Sequence, residues 1–264
     1  MNLGLQGKSV LVAASSKGLG RAIALEYARE GALVTIASRD EAQLADARAA
    51  IAAATGSEPF AVRLDVRRAD DIAAAVREAA ARHGGLDALV TNAGGPPPGG
   101  FEAFDDAGWQ SGFELTLLSV VRLIREALPH LRAAPEGGRI VNIASMSVKE
   151  PLPNLILSNV FRAGVQALTK SLSLELAPDR ILINTVAPGR IGTDRLLALD
   201  RQKAEATGVP IEEIQRASAA QIPLGRIGTP EEFARAAVFL GSFANTYVTG
   251  QALLVDGGIV RGLL

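Results

Sequence analysis

The chain has 264 residues, 48% hydrophobic and 21% charged, with a formal net charge of -1. That length suits one large α/β domain with a buried sheet, and the near-neutral balance argues against a nucleic-acid footprint, which needs clustered Lys and Arg on one face. Cysteine is absent, which excludes disulfides, thiolate metal sites and a Cys nucleophile. No apolar run reaches the roughly 18 residues of a membrane span, and Met1–Lys8 lacks a signal-peptide run, so a soluble cytoplasmic protein without membrane contact is expected.

In chain order, the predicted strands are Ser9–Ala14, Leu33–Ala37, Phe60–Leu64, Ala88–Thr91, Arg139–Ala144, Ile181–Val186 and Ala252–Val255. Several are apolar at nearly every position, as strands buried on both faces of a parallel sheet are. Ala/Leu/Glu/Arg-rich stretches with helical spacing lie between them; in the first, Leu19, Ile23 and Tyr27 recur four apart. Strand–helix alternation predicts an α/β doubly wound parallel sheet of about seven strands with helices on both faces. Its ligand site is expected at the carboxyl ends of the strands.

The first strand runs into Ser15-Ser16-Lys17-Gly18-Leu19-Gly20 and then a helix. A glycine-rich strand-to-helix turn lets backbone N–H groups and a helix N-terminus approach a pyrophosphate. Ser15 and Ser16 suit phosphate contact; capping the first helix is the alternative. After the second strand comes Ser38-Arg39-Asp40. Arg39, a permanent forked cation, suits a ribose 2′-phosphate, with Lys17 adding charge, so NADP(H) is favoured over NAD(H). Against this, Arg39 could be a solvated loop residue, and Asp40-x-x-Gln43 reads as a helix cap.

The Gly94–Gly100 segment follows a strand directly and reads as a loop beside the site. The stretch 191–228 is polar, lies between Pro/Gly punctuation and is expected to form a helical insertion covering the site. No linker splits the chain, so residues 1–264 are expected to form a single nucleotide-binding domain. His83 sits at a helix end, where His commonly satisfies carbonyls, and His130 reads as a surface residue. Two isolated histidines make no metal site.

The whole set resembles the classical short-chain dehydrogenase/reductase family, most closely its 3-oxoacyl-acyl-carrier-protein reductase-like members, and so implies a Rossmann fold. Asp65-Val66 matches the adenine-contacting position, and Asn92-Ala93-Gly94 the NAG motif. Gly138–Ser145 matches the fifth strand with its terminal catalytic Ser, and Pro188-Gly189-Arg190-Ile191-Gly192-Thr193 the PG segment beside the nicotinamide and phosphates. Val255-Asp256-Gly257-Gly258 matches the last strand. The resemblance implies cofactor contacts from Ser15 to Gly20, Ser38, Arg39, Asp65, Val66, Asn92, Ala93, Gly94, Pro188, Gly189, Ile191 and Thr193. It also implies a small carbonyl or alcohol substrate and a homo-oligomer, dimer or tetramer.

The departures bear on chemistry. The family's first Thr and Gly of the turn are Ala13 and Ala14; if position 14 needs positive φ, Ala pays about 1–2 kcal/mol. Its Asn, Tyr and Lys positions read Thr116, Ser158 and Arg162, so of the four catalytic positions only Ser145 survives. A phenol with a pKa near ~10 can serve as an acid when a neighbouring cation depresses it, whereas Ser does not titrate and Arg holds its proton. Loss of a general acid typically costs ~10²–10⁴ in rate. Lys149 and Glu150 are candidate replacement donors, with solvated loop charges as the alternative. Two functions follow: an oxidoreductase of altered proton relay, or a catalytically inactive member that binds nucleotide as a sensor or scaffold.

Overall fold

The computed structural model describes residues 1–262. Seven strands form one parallel sheet: β1 Ser9–Ala13, β2 Leu33–Ser38, β3 Phe60–Arg63, β4 Ala88–Thr91, β5 Arg139–Ile143, β6 Leu182–Pro188 and β7 Ala252–Val255. Their spatial order is β3-β2-β1-β4-β5-β6-β7. All seven runs read from the sequence are strands, two with the same bounds and five with an end shifted by one or two residues. The first stops at Ala13 because Ala14 turns to φ 48°, outside the strand region. The sixth runs on to Pro188, which pairs with Val255 in the register of β6 and β7.

Alternation along the strands divides the core into two layers. Val10, Val12, Val34 and Ile36 face α1 (Gly18–Arg29), α2 (Glu41–Thr55) and α9 (Pro230–Leu240), through Ile23, Tyr27, Leu44, Ile51, Phe233 and Val238. On the other face Leu11, Ala13, Ala37 and Leu89 meet α3 (Ala69–His83), α5 (Ser119–Ala133) and α6 (Ile156–Glu175). Every residue of β1, β4 and β5 is buried, which is why those runs are mainly apolar, with Ser9, Thr91, Arg139 and Asn142 as buried polar exceptions.

Strand order reverses at β1, which pairs with β2 on one side and β4 on the other. A crevice therefore opens above the carboxyl ends of β1 and β4, where open α/β sheets bind ligands. Helix α4 (Asp106–Phe113) joins α5 through a π-turn, Glu114–Leu118. The segment expected as a helical insertion holds α7 (Asp194–Thr207) and α8 (Ile211–Ala220). Its two ends meet: Gly192 N–H donates to the Gly228 carbonyl at 2.9 Å, and Gly228 N–H to the Arg190 carbonyl at 3.0 Å. Among the described residues no helix is long and apolar enough to cross a membrane, and no His, Cys, Asp and Glu cluster could hold a metal ion.

Candidate active site

The turn after β1 lies at the strand-order reversal. Ala14 carries the positive φ anticipated for that position. Asn92, just past β4, donates its side-chain N–H to the Ala14 carbonyl at 3.1 Å, which ties the NAG segment to the turn. Gly20 is packed so closely that a Cβ there would lie 2.3 Å from that carbonyl oxygen. Lys17 occupies the N-cap of α1 with no side-chain cap bond, so the first N–H groups of the helix stay open to a ligand.

The two serines differ. Ser15 is fully buried, its hydroxyl donating to the Val12 carbonyl at 2.7 Å and accepting from Ala37 N–H at 2.9 Å. It braces β1 against β2 through both its donor and its acceptor. Ser16 instead meets the Ser38 hydroxyl at 3.0 Å across the strand ends. Neither caps α1. Lys17 and Arg39 are exposed on either side of this hydroxyl pair, and neither has a carboxylate partner among the described residues. Asp40 is a helix cap, accepting from Gln43 N–H at 3.0 Å, which leaves Arg39 as the charge beside the second strand's end.

Asp65 is held by Arg67, through Nε at 3.1 Å, Nη2 at 2.8 Å and the Arg67 backbone N–H at 3.0 Å. The Arg67 hydrogen bonds dominate and the Arg39 charge adds to them, so the carboxyl falls to about 2. Val66 beside it is buried, Ala93 is partly buried and Gly94 exposed. Past β6, Pro188 and Gly189 are half-buried and Ile191 is buried in the core. Thr193 caps α7, accepting from Leu196 N–H at 3.4 Å.

At the end of β5, half-buried Ser145 caps a short turn, accepting from Ser147 N–H at 3.2 Å. Ser158 and Arg162 lie one turn apart on α6, Ser158 half-buried and Arg162 only 7% exposed. Arg162 Nη1 donates to the Ile143 carbonyl at the end of β5, while its Nε has no partner. Burial first, then the positive charge of Arg195, lowers the guanidinium to about 10, which leaves it a cation at neutral pH. Thr116 sits in the π-turn, buried, its hydroxyl unpartnered. The buried hydroxyl of Ser147, in the short turn packed on α6, and the side-chain carbonyl of Gln166, on α6 itself, are also unpartnered. Lys149 and Glu150 are exposed.

Two features were missed by sequence reading. One is a buried polar ladder beneath the site: Thr91 to Asn142 at 2.6 Å, Asn142 to Thr169 at 2.8 Å and Thr169 to Thr185 at 2.9 Å. Polar residues inside otherwise apolar strands were the available signal. The other is Arg195, whose approach to Arg162 depends on packing between distant segments and has no local signature.

Residues 13–260 match the family described as Enoyl-(Acyl carrier protein) reductase. The chain is 33% identical over 252 residues to the 3-oxoacyl-acyl-carrier-protein reductase of Staphylococcus aureus, covering 96% of this chain and 98% of the relative. It belongs to the short-chain dehydrogenase/reductase family. This short-chain dehydrogenase/reductase is also 36% identical to the L-fucose dehydrogenase of Bos taurus, over 97% and 90% of the two chains. Its fold is similar to that of the L-sorbose reductase of Gluconobacter frateurii complexed with NADPH and L-sorbose, with TM-score 0.94, 32% identity and all of both chains covered.

Proposed function

We propose that the protein is an NADP(H)-preferring oxidoreductase acting between a carbonyl and an alcohol, with a proton relay unlike that of its relatives. The observation that supports it best is the open N-terminus of α1 at the strand-order reversal, flanked by the exposed cations Lys17 and Arg39, neither in an ion pair among the described residues. Such an end favours a pyrophosphate, and a forked cation beside the ribose favours a 2′-phosphate. The close packing at Gly20 and the open surface over Gly94 leave a cradle that a dinucleotide fits.

NADPH supplies a hydride when bound. Ser145 and Ser158 are the residues we assign to the carbonyl oxygen, as hydrogen-bond donors. Arg162 supplies a fixed positive charge close to where negative charge develops, an electrostatic role that needs no proton transfer from the guanidinium. The two tyrosines play no part: Tyr27 is fully buried in the core, where burial pushes its phenol far up, and Tyr247 is 97% exposed. The final proton then comes from water, so turnover should be slow compared with relatives that hold a positioned acid.

The test is a calorimetric titration with NADPH and NADH in parallel. Tighter NADPH binding is expected, with the Arg39→Ser variant narrowing the preference by about ten- to a hundredfold. Equal binding of the two would refute the 2′-phosphate role, and binding of neither would replace the oxidoreductase reading with that of a scaffold.

A further inference from the structure

Arg195 stands in the first turn of α7, and its guanidinium lies flat against the loop that follows β4. A Cβ on Gly95 would sit 2.9–3.1 Å from Nη2, Nε and Cζ of Arg195, and Nη2 donates to the Pro96 carbonyl at 2.8 Å. The same loop is tied to the start of α6: Gly99 N–H donates to the Asn154 carbonyl at 2.8 Å, and Ile156 N–H to the Gly99 carbonyl at 3.1 Å. One loop therefore bridges Arg195 to the helix that carries Ser158 and Arg162, and the Arg195 charge is felt at Arg162.

Two guanidinium groups thus lie on segments joined through this loop, and neither has a carboxylate within 4.0 Å among the described residues. Arg162 is more than nine-tenths buried with its Nε unpartnered. The other unpartnered polar atoms on α6 and the turns packed against it belong to Gln166, Thr116 and Ser147, all neutral. A buried cation beside a second cation is costly without a compensating anion. The cofactor's phosphates are assigned to Lys17 and Arg39; Thr193, at the cap of α7, lies against Gly18 of that turn, whereas the Arg195 side chain lies on Gly95 and Pro96 of the loop after β4. Arg195 spends only Nη2 on the loop, and its remaining fork N–H groups suit the two oxygens of a carboxylate.

Resting on the oxidoreductase reading above, we propose that the substrate is an oxo or hydroxy acid whose carboxylate is held by Arg195 while its reacting carbonyl lies at Ser145 and Arg162. The bridging loop would then set the distance between the charged end and the reacting carbon, which favours acids over their esters.

The experiment uses the full chain saturated with NADP⁺ and follows binding of acetoacetate and, in parallel, ethyl acetoacetate by calorimetry. The acid should bind at least about tenfold more tightly than the ester, a difference of about 1.4 kcal/mol. Arg195→Gln should erase that preference, Arg195→Lys should retain part of it, and neither should shift NADP⁺ affinity by more than about twofold. Equal binding of acid and ester, or binding of neither at millimolar concentration, overturns the proposal alone. A collapse of NADP⁺ affinity in Arg195→Gln also overturns it, by making Arg195 a cofactor contact. Failure of NADP⁺ to bind the wild type overturns the oxidoreductase reading, and this proposal with it.

Discussion

Ala14 shows how much a single position can say before a fold is known. Comparison with the family's glycine turn marks it as a strained residue, and its φ of 48° places it in the left-handed region. That conformation costs an L-residue about 1–2 kcal/mol, part of which glycine returns through its freer unfolded chain. Ala14→Gly should therefore stabilise the protein by about 1 kcal/mol, a rise in Tm of about 2–4 °C by thermal scan; a fall would mean that the methyl group packs favourably. Ser15 teaches the reverse. Its type and position suit phosphate contact, yet its hydroxyl is spent between β1 and β2, a direction only the strand pairing decides.

Asp65 is the clearest source of pH dependence at this scale. Its carboxyl falls from 3.8 to about 2 in the fold, chiefly through the Arg67 fork. A depressed carboxylate adds stability that is fully present above its unfolded value and disappears as pH drops through the folded one. Because Arg67 is 44% exposed, solvent screening limits the contribution to about 1–2 kcal/mol. Asp65→Asn should lower the unfolding free energy obtained from urea denaturation at neutral pH by that amount, with the gap to wild type closing between about pH 4 and pH 2. A gap that persists unchanged into acid would assign the loss to packing.

Among the elements, the 191–228 excursion and the π-turn contrast in how visible they were. Polar composition between Pro/Gly boundaries is enough to expect helices in the excursion, and α7 and α8 are there. What anchors it is an ion pair between residues ten apart, Arg190 to Asp200, with Asp200 only 2% exposed. Removing one charge leaves the other poorly solvated, which is costlier than losing the pair's attraction alone. Asp200→Asn should loosen α7 and speed limited proteolysis within 194–220 by about tenfold or more, while cleavage elsewhere stays slow. Unchanged protection would mean that the backbone bonds at Gly192 and Gly228 suffice. The π-turn at Glu114–Leu118 was not legible, because one extra residue per turn depends on what α6 presents to it, not on the composition of five residues.

For the whole molecule, the proposed function turns on Ser158 and Arg162, whose presence leaves the seven-stranded sheet intact. Ser158 and Arg162 keep one face of α6, with Ser158 half-open and Arg162 enclosed. Ser158→Tyr with Arg162→Lys should raise the rate of NADPH-dependent reduction of a small ketone or 3-oxoacyl thioester at least about tenfold, by returning a titratable phenol beside a cation. An unchanged rate in a folded, cofactor-binding double variant would show that proton supply does not limit turnover. The strand set, the helical excursion and the missing acid follow from sequence alone, since doubly buried strands are continuous apolar runs and residue type fixes what can titrate. The strand order that joins β1 to β4, the inward turn of Ser15 and the convergence of Arg162 with Arg195 were decided by tertiary structure. Each depends on which distant segments pack together, and no local periodicity carries that.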